Sequence, residues 1–264
     1  MKRWPYWVLG FWLLVVACSQ VWNFQPDAID LQQILAAPGQ GALLGADDLG
    51  RSIAARLAAG AGVSMLVALL VTAVTLTVGT AIGLLAGYYG GWIDRLLMQV
   101  TDVFLAFPGI LLAIAFAAVL GPGLDNLLLA LCMTSWVGYA RLTRAQALSL
   151  RQRQHVQAAQ SLGAPAYRVM RKHMLPLLAA PLVVEATYSI AGLVIAEASL
   201  SFLGLGIQAP HASWGSMLRD GVRYLLVAPH YVLAVGVSLM SVVLAINVLG
   251  DQLRDAWDVR RAES

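Results

Sequence analysis

The chain has 264 residues, of which 59% are hydrophobic and 12% charged, and its mean hydropathy is +0.74. That balance excludes an ordinary soluble globular domain and places the chain in a lipid bilayer as one membrane domain. The net charge of +3 and the pI of about 9.0 do not point to nucleic acid, because the basic residues gather in loops on one side of the expected membrane topology.

A spanning helix needs about 20 mostly apolar residues, and six stretches qualify in chain order. They are Trp4 to Trp22, Met65 to Ala86, Leu96 to Val119, Leu124 to Tyr139, Leu177 to Leu203 and Tyr231 to Leu249. The first begins after Lys2 and Arg3 and passes through Cys18, a pattern that a lipoprotein signal also shows. The apolar run continues beyond the cysteine, and Trp4, Trp7 and Trp22 sit at its two ends as interfacial anchors, which suits a retained helix. Residues 23–64 form an external segment. Within it, Leu49 to Leu66 reads as a helix with an apolar side and with Arg51 and Arg56 on the other, lying along the membrane surface or simply leading into the span.

Glycines 87, 90 and 91 separate the second span from the third, and Gly121-Pro122-Gly123 separates the third from the fourth. A polar loop, 141–176, then leads to the fifth. The permease domain is expected over 65–250, with a tail at 251–264. With Lys2 and Arg3 inside, the loop near residue 90, the 141–176 loop and the tail are cytoplasmic. Arg95, Arg141, Arg144, Arg151, Arg153, Arg168, Arg171, Lys172, Arg254, Arg260 and Arg261 then fall inside, against Arg51, Arg56, Arg219 and Arg223 outside. This is the positive-inside bias, with both termini cytoplasmic.

Chemistry is sparse. A phosphate-binding loop needs a lysine followed by serine or threonine, but the lysines here are Lys2, followed by Arg3, and Lys172, followed by His173. If ATP drives the chain, another subunit binds it. His155, His173, His211 and His230 lack zinc-like spacing, and Cys18 and Cys132 lie in apolar runs, so no metal or cofactor site and no catalytic residue is expected. Asp102, Glu185 and Glu197 fall within spans, where ionisable groups are costly and point either to function or to a buried polar partner. Glu197, in the small-residue stretch Ala196 to Ser201, is the candidate functional carboxylate.

Between Gln154 and Leu177 lies a short amphipathic helix, a break at Gly163-Ala164-Pro165, and a basic second helix stopped by Pro176. Alanines 158 and 159 allow close approach of a partner surface. This loop resembles the EAA loop of ABC importer permeases, in which Glu-Ala-Ala, three residues, Gly, nine residues and Ile-x-Leu-Pro follow one another. Gln157-Ala158-Ala159, Gly163 and Leu175-Pro176 keep that spacing, while Gln157 stands for the glutamate and His173 for the isoleucine.

Further blocks resemble the peptide/nickel permease family. They are Gly45-x-Asp-Asp-x-Gly50-Arg51, Glu197 to Gly206, Ser213-Trp214-Gly215, Ala228-Pro229, and Asn247-x-Leu-Gly-Asp251-x-Leu-Arg-Asp255. The resemblance implies an all-α membrane protein of the type I ABC importer permease fold, the shorter of two paralogous permeases in a bacterial inner membrane. It implies as partners a homologous second permease, two cytoplasmic ATPases, an external solute-binding protein and membrane lipid, but no nucleic acid. Gln157, Ala158, Ala159, Gly163, Leu175 and Pro176 would form the ATPase-coupling element. The external loop 204–230 would face the binding protein. The implied cargo is a di- or oligopeptide, with nickel or a metal chelate as the alternative; a proton-coupled carrier and a non-transporting scaffold remain as other classes.

Overall fold

The computed structural model describes residues 3–21 and 25–262; Lys2 and the anchor Trp22 lie outside them. The described residues are mostly helical, with turns and loops over 25–52 and between the later helices, and a lone bridge between Ala46 and Ser52 is the one extended pairing among them. The long elements are α1 (Trp4–Val21), α2 (Ile53–Tyr89), α3 (Gly91–Leu105), α4 (Gly109–Leu120), α5 (Leu124–Arg151), α6 (Gln154–Ser161), α7 (Ala166–Phe202), α8 (Trp214–Val222) and α9 (Pro229–Ala262). By length and composition α2, α7 and α9 can each cross a bilayer, and α3 with α4 makes a fourth candidate.

Each expected span falls on helix, with two departures from the expected layout. The third is broken into α3 and α4, bent by 83°. The break falls at Ala106-Phe107-Pro108, where the proline disfavours helical backbone in the residue before it. The surface helix expected from Leu49 to Leu66 is not a separate element: α2 runs without interruption for 37 residues from Ile53. Its arginine side is not solvated either, since Arg51 and Arg56 are 6% and 2% exposed.

Those arginines are held by acids of the segment between α1 and α2 and of its junction with α2. Arg51 Nε lies 2.7 Å from the fully buried Asp47, and Arg56 reaches the same carboxylate at 3.4 Å and Asp27 at 3.2 Å. Asp47 also accepts the backbone N–H groups of Leu49 and Arg51. Removing Asp47 would leave two buried cations short of a partner, so the segment and the start of α2 form one ion-paired unit. Burial and the nearby Asp47 and Asp220 carboxylates push the Asp48 carboxyl above the usual carboxylate range.

The chain divides into two compact units, residues 1–70, 114–131 and 190–249 in one, and 71–113, 132–189 and 250–264 in the other. In the first, Trp214 is the central side chain. Its indole N–H donates to the Leu57 carbonyl at 3.1 Å, and the Trp12 ring stands edge-on to it at 5.0 Å, a pair worth ~0.5–1.5 kcal/mol beyond area burial. Trp12 donates in turn to Ser241 at 3.1 Å, which ties α1 to α9.

In the second unit α2 lies directly on α5. Gly79, Gly83 and Gly87 recur every four residues, so they share one face of α2. A Cβ at Gly83 would meet the Ala140 carbonyl and Thr143, and one at Gly87 would lie 2.6 Å from the Ala147 Cβ. Arg144 of α5 then reaches Asp94 in the first turn of α3 through two N–H donors, at 2.5 and 2.7 Å.

Candidate coupling site

The 141–176 loop is built on the second unit. After Arg151 the chain turns and enters α6, whose C-terminus is closed by two backbone bonds. Ala164 N–H donates to the Ala159 carbonyl and Gly163 N–H to the Gln160 carbonyl. This is the paired bonding of a Schellman cap, and it needs a left-handed residue where Gly163 stands, at φ +78°. Pro165 follows and opens α7, its carbonyl accepting from Arg168 and Val169.

Fully buried Val156, Val169 and Met174 fasten α6 and the start of α7 to Ala147 and Leu150 of α5 and to Leu178. The opposite side is open on the isolated chain. Gln157, Ala158, Gly163, Leu175 and Pro176 are exposed and Ala159 is half-buried. Leu162, 88% exposed, and Tyr167, 65% exposed, add apolar surface that the sequence reading did not single out. Arg151, Arg153, Arg168, Arg171 and Lys172 surround it, also exposed. The six expected coupling residues all lie on this loop over a buried base, and beside them Arg171 donates to the Tyr167 hydroxyl at 2.7 Å and stands over its ring.

The helix after the break is not stopped by Pro176. It continues to Phe202, and a π segment, Met170–Met174, lies immediately before the proline. Proline removes the N–H that would bond residue 172 and crowds that carbonyl, and a wider turn relieves the crowding.

The three intramembrane carboxylates have three different settings. Asp102 is exposed on α3. Glu197 is fully buried and accepts O–H bonds from Ser64 at 2.6 Å and Ser201 at 2.8 Å, so it joins α2 to α7 as a satisfied polar pair of contacts. Glu185 is half-buried and lines a cavity in the second unit. Among the described residues no three His, Cys, Asp or Glu side chains converge as a metal ion would require.

The geometry at Glu197 makes a prediction. Glu197→Gln keeps its shape and its capacity to bond both serines, so uptake should persist with a stability loss of about 1 kcal/mol. Glu197→Leu leaves both hydroxyls without that acceptor and should lower the melting temperature of the purified complex much further. Abolished uptake in an intact, stable Glu197→Gln complex would instead make the carboxylate functional.

Residues 79–261 match the family described as binding-protein-dependent transport system inner membrane component. The dipeptide transport system permease protein DppC of Alkalihalophilus pseudofirmus is 43% identical over 85% of this chain and 74% of its own length. The glutathione transport system permease protein GsiD of Pectobacterium atrosepticum is 38% identical over 95% and 82%, and GsiD of Escherichia coli O157:H7 is 41% identical over 93% and 82%. Among solved structures, the inward-facing MetNI methionine ABC transporter has a chain of the same fold, with a TM-score of 0.57 at 20% identity, covering 74% of this chain and 94% of that one. The chain therefore belongs to the binding-protein-dependent transport system inner membrane components: it is a multi-pass permease subunit of an ABC importer, and ATP hydrolysis falls to separate subunits.

Proposed function

We propose that this permease imports short peptides, pairs with a homologous second permease, and takes its driving force through the 141–176 loop. The observation that carries the cargo assignment is that relatives named for dipeptide and glutathione transport align over 85% and 95% of the chain. The loop carries the coupling assignment. Its base is locked by Val156, Val169 and Met174, while Leu162 and Tyr167 stand out beside Ala158 and Gly163. Such a face fits an apolar groove on an ATPase, and the surrounding arginines favour an acidic rim. A rigid base matters because a hinged contact would absorb the ATPase movement instead of passing it to α5 and α7.

The excess of basic residues in the 141–176 loop and the tail supports a cytoplasmic location for both, with the N-terminus on the same side. The 204–230 loop then faces outward, where the solute-binding protein delivers its cargo. Its apolar tip supports that role, with Leu226 97% and Val227 77% exposed.

Mild-detergent purification of the chain from its native membrane tests the reading. It should bring down a second permease and ATPase subunits, and the reconstituted complex with its binding protein should take up labelled dialanine in an ATP-dependent manner. A chain that transports alone after reconstitution would overturn the coupling assignment; an intact ATP-driven complex that ignores dipeptides and tripeptides would overturn the cargo assignment.

A further inference from the structure

Glu185 projects from α7 into a cavity of about 400 Å³ that the coupling role does not use. Tyr188 of α7, Gln146 of α5, and Arg254 and Trp257 of α9 line the same space, and all belong to the second unit. The neighbouring groups differ in how they are satisfied. Tyr188 donates its hydroxyl to Asp251 at 2.6 Å. Glu185 has no hydrogen-bond donor on it among the described residues, although it sits in the midst of a long apolar helix.

The Glu185 Oε1 lies 3.5 Å from where a Cβ would stand on Gly138, an ordinary van der Waals distance, so α5 packs directly beside the acid. An unpaired carboxylate in a membrane-spanning helix is tolerated where it faces water or a cation. The cavity is small, has apolar walls of Leu142, Ala180, Pro181 and Val184, and carries the Glu185 carboxylate, whose electrostatic neighbour is the Tyr139 side chain. Arg254 supplies the opposite charge in the same space. A cavity with an acid, a base and apolar walls suits a small zwitterion with an aliphatic body. A metal ion fits poorly, because no second and third acidic or imidazole ligand converges there.

The geometry points to a substrate subsite in this cavity, in which Glu185 receives a primary ammonium group of a peptide, from its N-terminus or from a lysine side chain, and Arg254 faces its carboxylate. This rests on the peptide reading above and deepens it by assigning a contact within this subunit. The subsite lies on α5, α7 and α9, and α5 and α7 are the helices that carry the coupling loop, so movement of the loop would reshape it. That position suits brief retention and release of cargo better than selection, which the binding protein performs.

The test uses the complete complex, both permeases with their ATPases, in lipid nanodiscs without the binding protein. Binding of three labelled probes is measured: dialanine, N-acetyl-dialanine, and N-acetyl-alanyl-lysine. The wild-type complex should bind dialanine more tightly than its acetylated form, and Glu185→Gln should weaken dialanine about tenfold, as expected for loss of a charged hydrogen-bond partner, and so erase the difference. Glu185→Asp should recover part of it. Retained binding of the lysine probe assigns the site to any primary ammonium, and its loss assigns the site to the N-terminus. Equal binding of dialanine and N-acetyl-dialanine by the wild type, or a Glu185→Gln complex indistinguishable from it, overturns the subsite. Uptake assays on the same complexes, reconstituted into sealed proteoliposomes and supplied with the binding protein, separate the two failures. Peptide import that is insensitive to Glu185 removes the subsite alone, whereas absence of import of any peptide by the wild type removes the cargo assignment itself.

Discussion

Replacing Gly163 by proline is expected to abolish uptake and release the ATPase subunits while leaving the membrane helices folded. Gly163 sits at φ +78°, and proline fixes φ near −65°, so the α6 cap cannot form around it. Proline also removes the N–H that bonds the Gln160 carbonyl. The consequence is confined to the loop, because nothing lies within 4 Å of a Cβ at this position and no core side chain has to move. Gly163→Ala separates geometry from bulk. It keeps the N–H and costs only the ~1–2 kcal/mol of a left-handed L-residue, so it should bind the ATPases more weakly but still transport. Co-purification and uptake are read together. Normal values for both in the proline variant would remove the loop from the coupling path, and loss of the whole protein from the membrane would mean that the cap is needed for folding rather than for docking.

The positions of the helices and of this loop were legible in the sequence for different reasons. Apolar runs near 20 residues leave the backbone no way to satisfy its polar groups in lipid except as helix, so composition alone located helices. The loop was legible because Gly163 and Leu175-Pro176 stand at a fixed spacing from Ala158-Ala159, and a left-handed cap admits few residues other than glycine. The exposed Leu162 and Tyr167 were not singled out, since within a short amphipathic stretch apolar residues on the open face look like those on the buried one. Val156 and Leu162 differ in exposure because only the former meets α5 in the tertiary fold.

What the sequence leaves open shares a cause. Arg51 and Arg56 have the helical spacing of a solvated face, and the pattern of one segment cannot reveal that Asp27 and Asp47 fold back onto them. Likewise Glu185 and Glu197 are the same residue type in the same helix, yet one meets two serines and the other meets open space. What separates them is the partner helix each one faces, and that is a long-range fact. Pro108 and Pro176 show the complementary difficulty. Both carry a local signal, but at Pro108 the helix breaks and bends by 83°, whereas at Pro176 a π segment absorbs the proline and the helix continues.

The helix pairing that a sequence scan passes over most easily leads to the largest expected loss of stability. Gly79, Gly83 and Gly87 each occupy an unremarkable apolar context, and only their common four-residue spacing marks a face on which another backbone can lie. At Gly83 a Cβ would sit against the Ala140 carbonyl, 2.7 Å from the Thr143 Cβ and 2.9 Å from the Arg144 backbone nitrogen. Two of these three are backbone atoms, which cannot rotate aside, so Gly83→Leu must push α2 and α5 apart. Separation at that level also loosens the Tyr139, Ala147 and Leu150 packing that holds the coupling loop. We expect a cost of about 3 kcal/mol or more, at the upper end for overpacking, and hence little folded protein in the membrane and none assembled with its partners. Gly236→Ala is the control, because nothing lies within 4 Å of its Cβ and alanine favours helix over glycine by ~1 kcal/mol. Detergent-extracted yield and melting temperature decide the matter: unchanged values for Gly83→Leu would mean that α2 and α5 are not in close contact, and a loss equal to that of Gly236→Ala would mean that helix glycines matter here through flexibility and not through packing.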